Sequence, residues 1–225
     1  MSLIVPKFNY KKISRKNIEG KRLYLTPDGN SVASVTTILD KTKDKSHLFA
    51  WRKRVGEKRA TEIVVEASSV GTRMHKYLED YIDTSNWPSV GSNPYAQQAW
   101  KMAEVIKINA FQNIDAIYGS EINLWVPQLY AGTTDLVCKY KGSTAICDFK
   151  QTNKAKKEEW VSDYYLQLVA YIEAHNELYQ TEINEGHIFM CSRNFEYQQF
   201  DLMPGDYSYW KNEWYERLYN YYSME

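Results

Sequence analysis

A single predicted hairpin, covering residues 132–150, constrains the fold of this 225-residue chain more than any other segment. Two runs rich in β-branched and apolar residues are separated by Lys141-Gly142, which is typical of two antiparallel strands joined by a two-residue loop. Such a loop pairs the residues that flank it, and the pairing continues outward between residues whose numbers sum to 283. Asp135 is therefore predicted to lie directly opposite Asp148, with Cβ atoms about 4.5–5.5 Å apart.

The two opposed carboxylates need a partner, because like charges placed directly across a strand pair are destabilising. Side chains alternate along a strand, so Lys150 is predicted to share a face with Asp148. A divalent cation is the simplest group to place between two acids and one lysine; a solvated hairpin end with an ordinary salt bridge is the alternative. The Asp-x-Lys triplet alone carries little weight, since a chain with 11 Asp and 20 Lys contains about one by chance.

The length and composition fit one globular domain, or one domain with an appended subdomain, because 44% of the residues are hydrophobic. There is no run of about 18 apolar residues, so no membrane contact is expected. The apolar part of the N-terminal segment 1–7 is too short for a signal peptide. Three cysteines without CxxC spacing indicate a reducing compartment, and the expected location is the cytoplasm of a bacterium or of a phage-infected host cell.

The net charge of zero hides a strong asymmetry along the chain. Residues 1–157 carry 25 Lys/Arg and 15 Asp/Glu, a net charge of +10, whereas residues 158–225 carry 3 and 13, a net charge of −10. Such polarity steers a polyanion toward one side of a protein. The densest basic stretch, Lys41–Arg59, also contains Phe49 and Trp51. Basic and aromatic residues together are typical of single-stranded nucleic acid binding, although a solvated helix face is the alternative.

The hydrophobic pattern predicts short strands over residues 8–33, with a turn at 26–30, and either a short strand or a helix start at 34–39. Helices are predicted over 46–67 (weakened at Gly56), 69–82, 94–113, 158–179 and 206–221. Further strands are predicted over 120–126, 130–140, 143–150 and 186–191. This order predicts an α/β fold with a mixed, mainly antiparallel sheet flanked by helices and an N-terminal helical segment. Residues 1–225 are expected to form one domain, with N-terminal strands and helices in 1–115 and the catalytic core in 116–225.

Candidate site residues also occur outside the hairpin. Gln167 and Tyr171 are four residues apart on a predicted helix and so share a face, although a surface glutamine and a core-edge tyrosine would show the same spacing. His75 has the same spacing to Glu79, and imidazole is a common metal ligand, although a structural histidine is the alternative. Glu121, near the start of the strand that precedes the hairpin, could add a carboxylate or be an exposed strand position.

Taken in chain order, these residues resemble the PD-(D/E)XK nuclease superfamily and in particular its RecB-like branch. That branch carries a helical histidine, Gly-x-x-Asp, Asp-x-Lys and Gln-x-x-x-Tyr, which stand here as Gly71-Thr-Arg-Met-His75, Gly132-Thr-Thr-Asp135, Asp148-Phe-Lys150 and Gln167-Leu-Val-Ala-Tyr171. Within the branch, the chain is most similar to the family of the mitochondrial genome maintenance exonuclease and its phage and bacterial relatives, over roughly residues 34–220. Further shared segments are Ser34-Val-Thr-Thr-Ile-Leu39 and Trp51-Arg-Lys-Arg54. Thr134 stands where the superfamily pattern has proline.

The resemblance implies a restriction-endonuclease-like core and a metal-dependent DNA exonuclease that hydrolyses phosphodiester bonds in DNA replication, recombination or repair. It implies Mg²⁺ or Mn²⁺ as the cofactor. The implied metal ligands are His75, Asp135, Asp148 and the backbone carbonyl of Phe149. The implied catalytic residues are Asp135, Asp148, Lys150, Glu121, Gln167 and Tyr171. Lys150 would orient or help to deprotonate the attacking water. Glu121 would bind a second metal ion or position Lys150, and Gln167 and Tyr171 would position Lys150 or a phosphate.

The expected partner is DNA, in single-stranded form, together with replication or recombination proteins. Three scattered cysteines cannot build the four-cysteine iron–sulfur cluster that several RecB-like nucleases carry, so no such cluster is expected. Three alternatives stay open at this point: a structure-specific endonuclease of the same superfamily, a non-catalytic DNA-binding accessory protein, and an α/β protein with ordinary surface charge pairs.

Overall fold

A computed structural model of the protein describes residues 2–18 and 21–224. Within these residues the strands are β1 (Ser14–Ile18), β2 (Lys21–Leu25), β3 (Ser31–Ser34), β4 (Ile114–Val126), β5 (Tyr130–Tyr140), β6 (Ser143–Thr152), β7 (Gly186–Ser192) and β8 (Tyr197–Leu202). The helices are α1 (Val35–Thr42), α2 (Ser46–Val55), α3 (Glu57–Thr84), α4 (Pro94–Ala110), α5 (Ser162–Tyr179) and α6 (Pro204–Ser223). Short 3₁₀ turns precede β4 and α5 at Phe111–Asn113 and Glu158–Trp160.

The described strands belong to one sheet with the order β1-β2-β3-β5-β6-β7-β8, and β4 pairs with β5 in addition. The β3–β5 and β6–β7 pairs are parallel, and the other pairs are antiparallel. Helix α5 forms the crossover between the parallel strands β6 and β7, as parallel pairing requires. The predicted α/β fold with a mixed sheet flanked by helices is confirmed.

Strand β5 is the centre of the sheet because three strands pair with it. Strand β4 follows one edge of β5 from Tyr130 to Tyr140. On the other edge, β3 pairs with residues 130–131 and β6 pairs with residues 136–140. Residues 132–135 therefore lie at a fork, where β3 and β6 separate. This fork leaves room for side chains from the helices to reach the middle of β5.

The register predicted for the hairpin is confirmed. The pairs run from Tyr140 and Ser143 to Leu136 and Cys147, so the numbers of partner residues sum to 283. Both loop residues of Lys141-Gly142 have positive φ, 46° and 94°, as a type I′ hairpin turn requires. A local turn thus sets the position of every side chain along β5 and β6.

Two apolar cores cover the two faces of the sheet. On one face, α1, α5 and α6 pack around residues such as Tyr130 and Trp214, whose rings are 5.0 Å apart and nearly perpendicular. On the other face, α3 and α4 bury Met74, Leu78 and Met102 completely. Each fully buried side chain of this kind contributes about 1.5–3 kcal/mol. The second core holds the buried residues of α3 against the sheet. It therefore also fixes the α3 residues that lie between Met74 and Leu78 in the sequence.

The predicted division of the first helices is wrong. The chain breaks at Gly56, which has φ 85°, and α3 then continues without interruption from Glu57 to Thr84. The serines at 68–69 do not end the helix, because Val70, Met74 and Leu78 form a buried stripe that stabilises it on both sides of this point. The segment 34–39 begins a helix, with the Ser34 hydroxyl accepting a hydrogen bond from the Thr37 amide at 3.0 Å.

The strand prediction is incomplete at two places. Strand β4 begins at Ile114, six residues before the predicted start at 120. Strand β8, which pairs antiparallel with β7, was not predicted. Its sequence Tyr-Gln-Gln-Phe-Asp-Leu carries few β-branched residues, so its strand conformation comes from pairing with the fully buried β7. The remaining elements agree with their predicted ranges to within about five residues.

In the part of the chain that the structure describes, none of the helices combines the length and the apolar content needed to cross a membrane.

Gly186 is required where β7 begins beside β6, because a Cβ atom there would lie 2.8 Å from the Ile146 carbonyl oxygen. The Gly186→Ala variant is expected to lose about 1–3 kcal/mol of unfolding free energy, the usual cost of overpacking. Gly205→Ala is the matched control, because no described atom lies within 4 Å of its added methyl group and its position is helical. Urea unfolding followed by tryptophan fluorescence measures both. Equal stability of the two variants would contradict the packing described for β7.

Candidate active site

Three carboxylates form a row across three neighbouring strands. Asp135 of β5 lies opposite Asp148 of β6 when the hairpin register is continued by one pair. The pairs on either side of Glu121 in β4 place this residue opposite Asp135 on the other edge of β5. The row therefore runs Glu121, Asp135, Asp148 across the sheet.

Glu121 has an unusual backbone conformation. Its φ of 52° lies in the left-handed region, which costs a non-glycine residue about 1–3 kcal/mol, and it occurs within a strand rather than at a turn. The ligand atoms of Glu121, Asp135 and His75 all lie within 4.8 Å of one another, so the strained backbone accompanies a close cluster of possible metal ligands.

Asp135 joins three elements through one buried carboxylate. Its side chain is on β5, its Oδ2 accepts a hydrogen bond of 2.6 Å from the Phe149 amide of β6, and its Oδ1 lies 3.2 Å from His75 Nδ1 of α3. Burial would raise the pKa of Asp135, but the charges of His75 and Lys150 and the Phe149 amide outweigh it and hold that pKa below its ordinary value. Asp135 is thus a fixed anion.

Asp148 and Lys150 form an ion pair on the same face of β6. The Lys150 ammonium also donates a hydrogen bond of 3.0 Å to Gln167 Oε1, and Gln167 Nε2 donates one of 3.1 Å to the Tyr171 hydroxyl. Gln167 and Tyr171 lie one turn apart on the buried face of α5. Two side chains of α5 therefore fix the position of the lysine that β6 supplies.

The charges of this group are strongly coupled. Burial, together with the like charge of Asp135, raises the pKa of Asp148 to about 6 although Lys150 acts in the opposite direction. Burial would lower the pKa of Lys150, but Asp148 and Asp135 outweigh it, so this pKa is raised and the side chain keeps its positive charge. Lys150 is a cation that is paired with Asp148 and stabilised by the nearby charge of Asp135.

The pKa values of the other two members of the cluster, His75 and Glu121, are also raised. Burial would lower the pKa of His75, but Asp135 and Asp148 outweigh it and raise the pKa to about 9. Desolvation by the surrounding protein, and then the like charge of Asp135, raise the pKa of Glu121 to about 7. Two carboxyl groups with raised pKa values, Asp148 and Glu121, thus flank the fixed anion of Asp135, which is an arrangement expected where a cation binds.

The glycine of the Gly-x-x-Asp pattern has a packing reason. A Cβ atom on Gly132 would lie 2.6 Å from Cε1 of Tyr171, so the tyrosine ring packs directly on the glycine backbone. Any other residue there would push away the ring that fixes Gln167. The pattern therefore links β5 to α5 as well as supplying Asp135.

The residues predicted from the sequence meet at one small cavity of about 150 Å³. Its walls include His75, Asp135, Asp148, Lys150, Gln167 and Tyr171. Glu121 joins the group because its ligand atom lies within 4.8 Å of those of His75 and Asp135. Glu79 instead forms an ion pair with Lys76 at 3.2 Å on the surface of α3.

The Phe149 carbonyl points from β6 toward β5. The N–H and C=O of one strand residue point to the same side, and the Phe149 N–H binds Asp135 of β5.

The cavity also includes residues that were not singled out as site residues. These are Arg15, Tyr24, Ser34, Val35, Thr36 and Thr133. The N-terminus of α1 opens on the cavity and brings the positive end of the helix dipole to it. Residues 34–39 are one of the segments that resemble the nuclease family, so the start of α1 has a signal in the sequence. Arg15 has no local signal, because only the β1–β2–β3 pairing brings it to the site.

The three cysteines lie in the cores. Cys138 and Cys147 have sulfur atoms 3.5 Å apart behind the hairpin, and Cys191 is buried in β7. They pack as small apolar side chains of the α3–α4 side of the sheet. The absence of an iron–sulfur cluster stays a prediction.

Fold and site together define an α/β protein whose mixed sheet carries three aligned carboxylates, a lysine and a histidine at one cavity. The chain is similar to mitochondrial genome maintenance exonuclease 1 of Xenopus tropicalis, with 26% identity over 210 residues. The match covers 85% of this chain and 57% of the frog protein, so the chain spans little more than half of that relative. At this identity the similarity is distant, and it is to a protein whose name describes a genome maintenance exonuclease.

No protein-family model matches the chain. Among solved structures, the crystal structure of SSO0001 aligns with 83% of this chain and 74% of its own, at 11% identity and a TM-score of 0.38. A similarity at this level carries no argument about fold or function.

The contact between Gly132 and Tyr171 can be tested by a double-mutant cycle. Gly132→Ala is expected to cost about 1–3 kcal/mol in the native background, because its methyl group displaces the tyrosine ring. In a Tyr171→Leu background the same change should cost less than half as much, since the ring is gone. Urea unfolding of the four proteins gives both values. Additive costs would show that the glycine is required for another reason.

Proposed function

We propose that the protein is a metal-dependent DNA exonuclease that hydrolyses phosphodiester bonds in DNA replication, recombination or repair. In this proposal it is a RecB-like PD-(D/E)XK nuclease with a restriction-endonuclease-like core. The observation that carries the proposal is the row Glu121, Asp135 and Asp148, which meets His75 and Lys150 at one cavity. The distant similarity to a protein named as a genome maintenance exonuclease supports it.

The donor set fits a hard divalent cation. Carboxylate oxygens with one imidazole suit Mg²⁺ or Mn²⁺, and the cluster of His75, Glu121 and Asp135 brings three such ligands within 4.8 Å of one another. In this proposal the further ligands are Asp148 and the Phe149 carbonyl, which both belong to β6. When bound, such an ion supplies Lewis-acid polarisation of the phosphodiester and activation of water.

Lys150 and its supports act on the charge that develops during hydrolysis. Its ammonium, held by Asp148 and Gln167, can offset negative charge on the phosphate oxygens in the transition state. The raised pKa of Lys150 supports this role for a protonated lysine. Gln167 and Tyr171 are positioning residues in this proposal, because they act through Lys150.

The opposite wall of the cavity is suited to the substrate phosphate. Arg15 lines it, and the N-terminus of α1 adds the positive end of the helix dipole. A phosphodiester between this wall and Lys150 would meet positive charge on both sides.

Single-stranded DNA is the proposed substrate form. Helix α2 lies within the basic stretch 41–59, and none of its residues, all of them described, is buried. Phe49 is 63% exposed, and the last turn carries Arg52, Lys53 and Arg54. A helix with no fully buried residue that presents Phe49, Lys53 and Arg54 to solvent is suited to phosphate contacts and base stacking.

Replacement of Asp148 or Lys150 by alanine is expected to reduce Mg²⁺-dependent cleavage of single-stranded DNA by a factor of about 100 or more, because each change removes a charge at the reacting phosphate. A gel of end-labelled DNA with and without EDTA measures the loss, and circular dichroism reports whether the variants stay folded. Lys139→Ala is the matched control, since it removes a lysine from the turn end of the same hairpin.

Native activity in either folded variant would contradict the site assignment. A closed single-stranded circle distinguishes the alternative within the superfamily, because only an endonuclease can cut it. Resistance of the circle, with digestion of the linear strand, is the result expected for an exonuclease.

Metal binding can be measured without any substrate. Titration with Mn²⁺ in a calorimeter is expected to show binding to the native protein and at least tenfold weaker binding to Asp135→Asn and Glu121→Gln, because each loses a charged ligand. Glu62→Gln is the control with the same change in charge, since Glu62 lies on the same helix as His75, pairs with Arg59 at 3.1 Å and is not a member of the cluster. No Mn²⁺ binding by the native protein would favour a non-catalytic DNA-binding role.

A further inference from the structure

A second and larger cavity opens beside the candidate active site. It is a groove of about 680 Å³ between helices α2 and α3 on one side and the segment after β6 on the other. Its lining residues are Trp51, Ile63, Gln151, Thr152, Asn153, Lys154, Ala155, Lys156, Trp160 and Tyr164. The residues from 151 to 156 directly follow Lys150 of the active site.

Three aromatic rings face this groove. Trp160 is 56% exposed, and Trp51 and Tyr164 are half-buried. Tryptophan is a large side chain that proteins usually keep mostly buried, so an exposed indole on a groove wall indicates a surface for a ligand. The rings come from α2 on one wall and from the start of α5 and its preceding turn on the other.

Lysines accompany the rings. Lys156 Nζ lies 5.9 Å from the Tyr164 ring centre, and Lys157 Nζ lies 5.4 Å from the Trp160 ring centre. The Tyr164 ring centre also lies 5.2 Å from Lys150 Nζ. One tyrosine therefore contacts a lysine of the groove and the lysine of the active site, and the groove and the site are continuous.

The groove floor is held in place by side-chain bonds to its backbone. Gln198 of β8 accepts a hydrogen bond of 2.7 Å from the Lys156 amide and donates one of 2.8 Å to the Lys156 carbonyl. The Thr152 hydroxyl donates a bond of 2.8 Å to the Lys154 carbonyl. A segment without regular secondary structure is thus fixed before any ligand arrives, which lowers the entropic cost of binding.

We propose that this groove binds the part of a single-stranded nucleic acid next to the scissile phosphate, with unpaired bases stacked on Trp160 and Tyr164. Lys154 and Lys156 contact its phosphates. This inference rests on the proposed function and adds the residues that hold the strand. Unpaired bases are required because an aromatic side chain stacks on a free base face, which a duplex covers.

Binding is tested without cleavage, by fluorescence anisotropy of a labelled oligothymidylate of about 12 nucleotides in EDTA. Trp160→Ala is expected to weaken binding at least about fivefold, the loss of one stacked base, and Trp160→Phe should restore most of it. Tyr209→Ala is the matched control, because Tyr209 is 60% exposed but lies in an acidic cavity on α6. Its affinity should equal that of the native protein.

Two further measurements separate stacking from charge. A strand of the same length without bases should bind native protein and Trp160→Ala equally, since the indole then has nothing to stack on. Replacing both Lys154 and Lys156 by alanine should reduce the slope of log affinity against log salt by about 1.4, or 0.7 for each lost phosphate contact, whereas Trp160→Ala leaves the slope unchanged.

Equal affinity of Trp160→Ala and native protein for oligothymidylate would overturn the groove assignment, and so would an equal loss on the strand without bases. These results do not depend on catalysis. If the groove fails while Asp148→Ala still abolishes Mg²⁺-dependent cleavage, the proposed function stands alone. If Trp160 governs binding but the native protein cuts no DNA, the groove stands and the nuclease proposal fails.

Discussion

The site depends on the contacts of one buried group, the carboxylate of Asp135. It accepts a hydrogen bond from the Phe149 amide of β6 and contacts His75 of α3. One side chain of β5 therefore sets how far β6 and α3 lie from it. An unpaired buried charge costs several kcal/mol, which makes these contacts obligatory rather than incidental. The row of carboxylates can form only because the central member is held by its neighbours. The repulsion between the carboxylates is offset by the positive charges of His75 and Lys150 and, in the proposed active state, by a cation.

The features that the sequence predicts well are those fixed by local geometry. The two-residue loop Lys141-Gly142 sets the hairpin register, and the register alone brings Asp135 to Asp148. The four-residue spacing of Gln167 and Tyr171 on a helix puts both on one face of α5. His75 also follows from local structure, because its place beside the buried stripe of α3 turns it toward the sheet.

The features that the sequence does not predict depend on pairing between distant segments. The parallel contact of β3 with β5 creates the fork at residues 132–135 and brings Arg15 and the start of α1 to the cavity. The packing of Tyr171 on Gly132 is invisible until α5 is laid on the sheet. The groove was missed for the same reason. Its floor has the composition of a polar connection, and only contact with Gln198 shows that it is ordered.

The misplaced helix break shows how packing overrides local preference. A pair of serines at 68–69 suggests an end, but the buried residues on either side of them keep α3 continuous. Gly56, by contrast, has a left-handed backbone and really separates α2 from α3. The consequence is functional in the proposed nuclease. Because α2 is a separate helix with no fully buried residue, its half-buried Trp51 can form one wall of the groove while α3 keeps His75 at the site.

The charge asymmetry of the sequence acquires a physical meaning at the start of α5. Residues up to 157 supply lysines to the groove, whereas the following residues supply acids to a separate cavity of about 400 Å³. That cavity is lined by Glu158, Glu159, Ser162, Tyr165, Asp201, Asp206, Tyr209 and Trp210. Both cavities offer aromatic rings, so stacking alone would not distinguish them. Their opposite charges do, because a polyanion is repelled from the acidic cavity and attracted to the basic groove that leads to Lys150. In the proposed nuclease, a chain with no net charge would therefore still direct a nucleic acid to one of two aromatic surfaces.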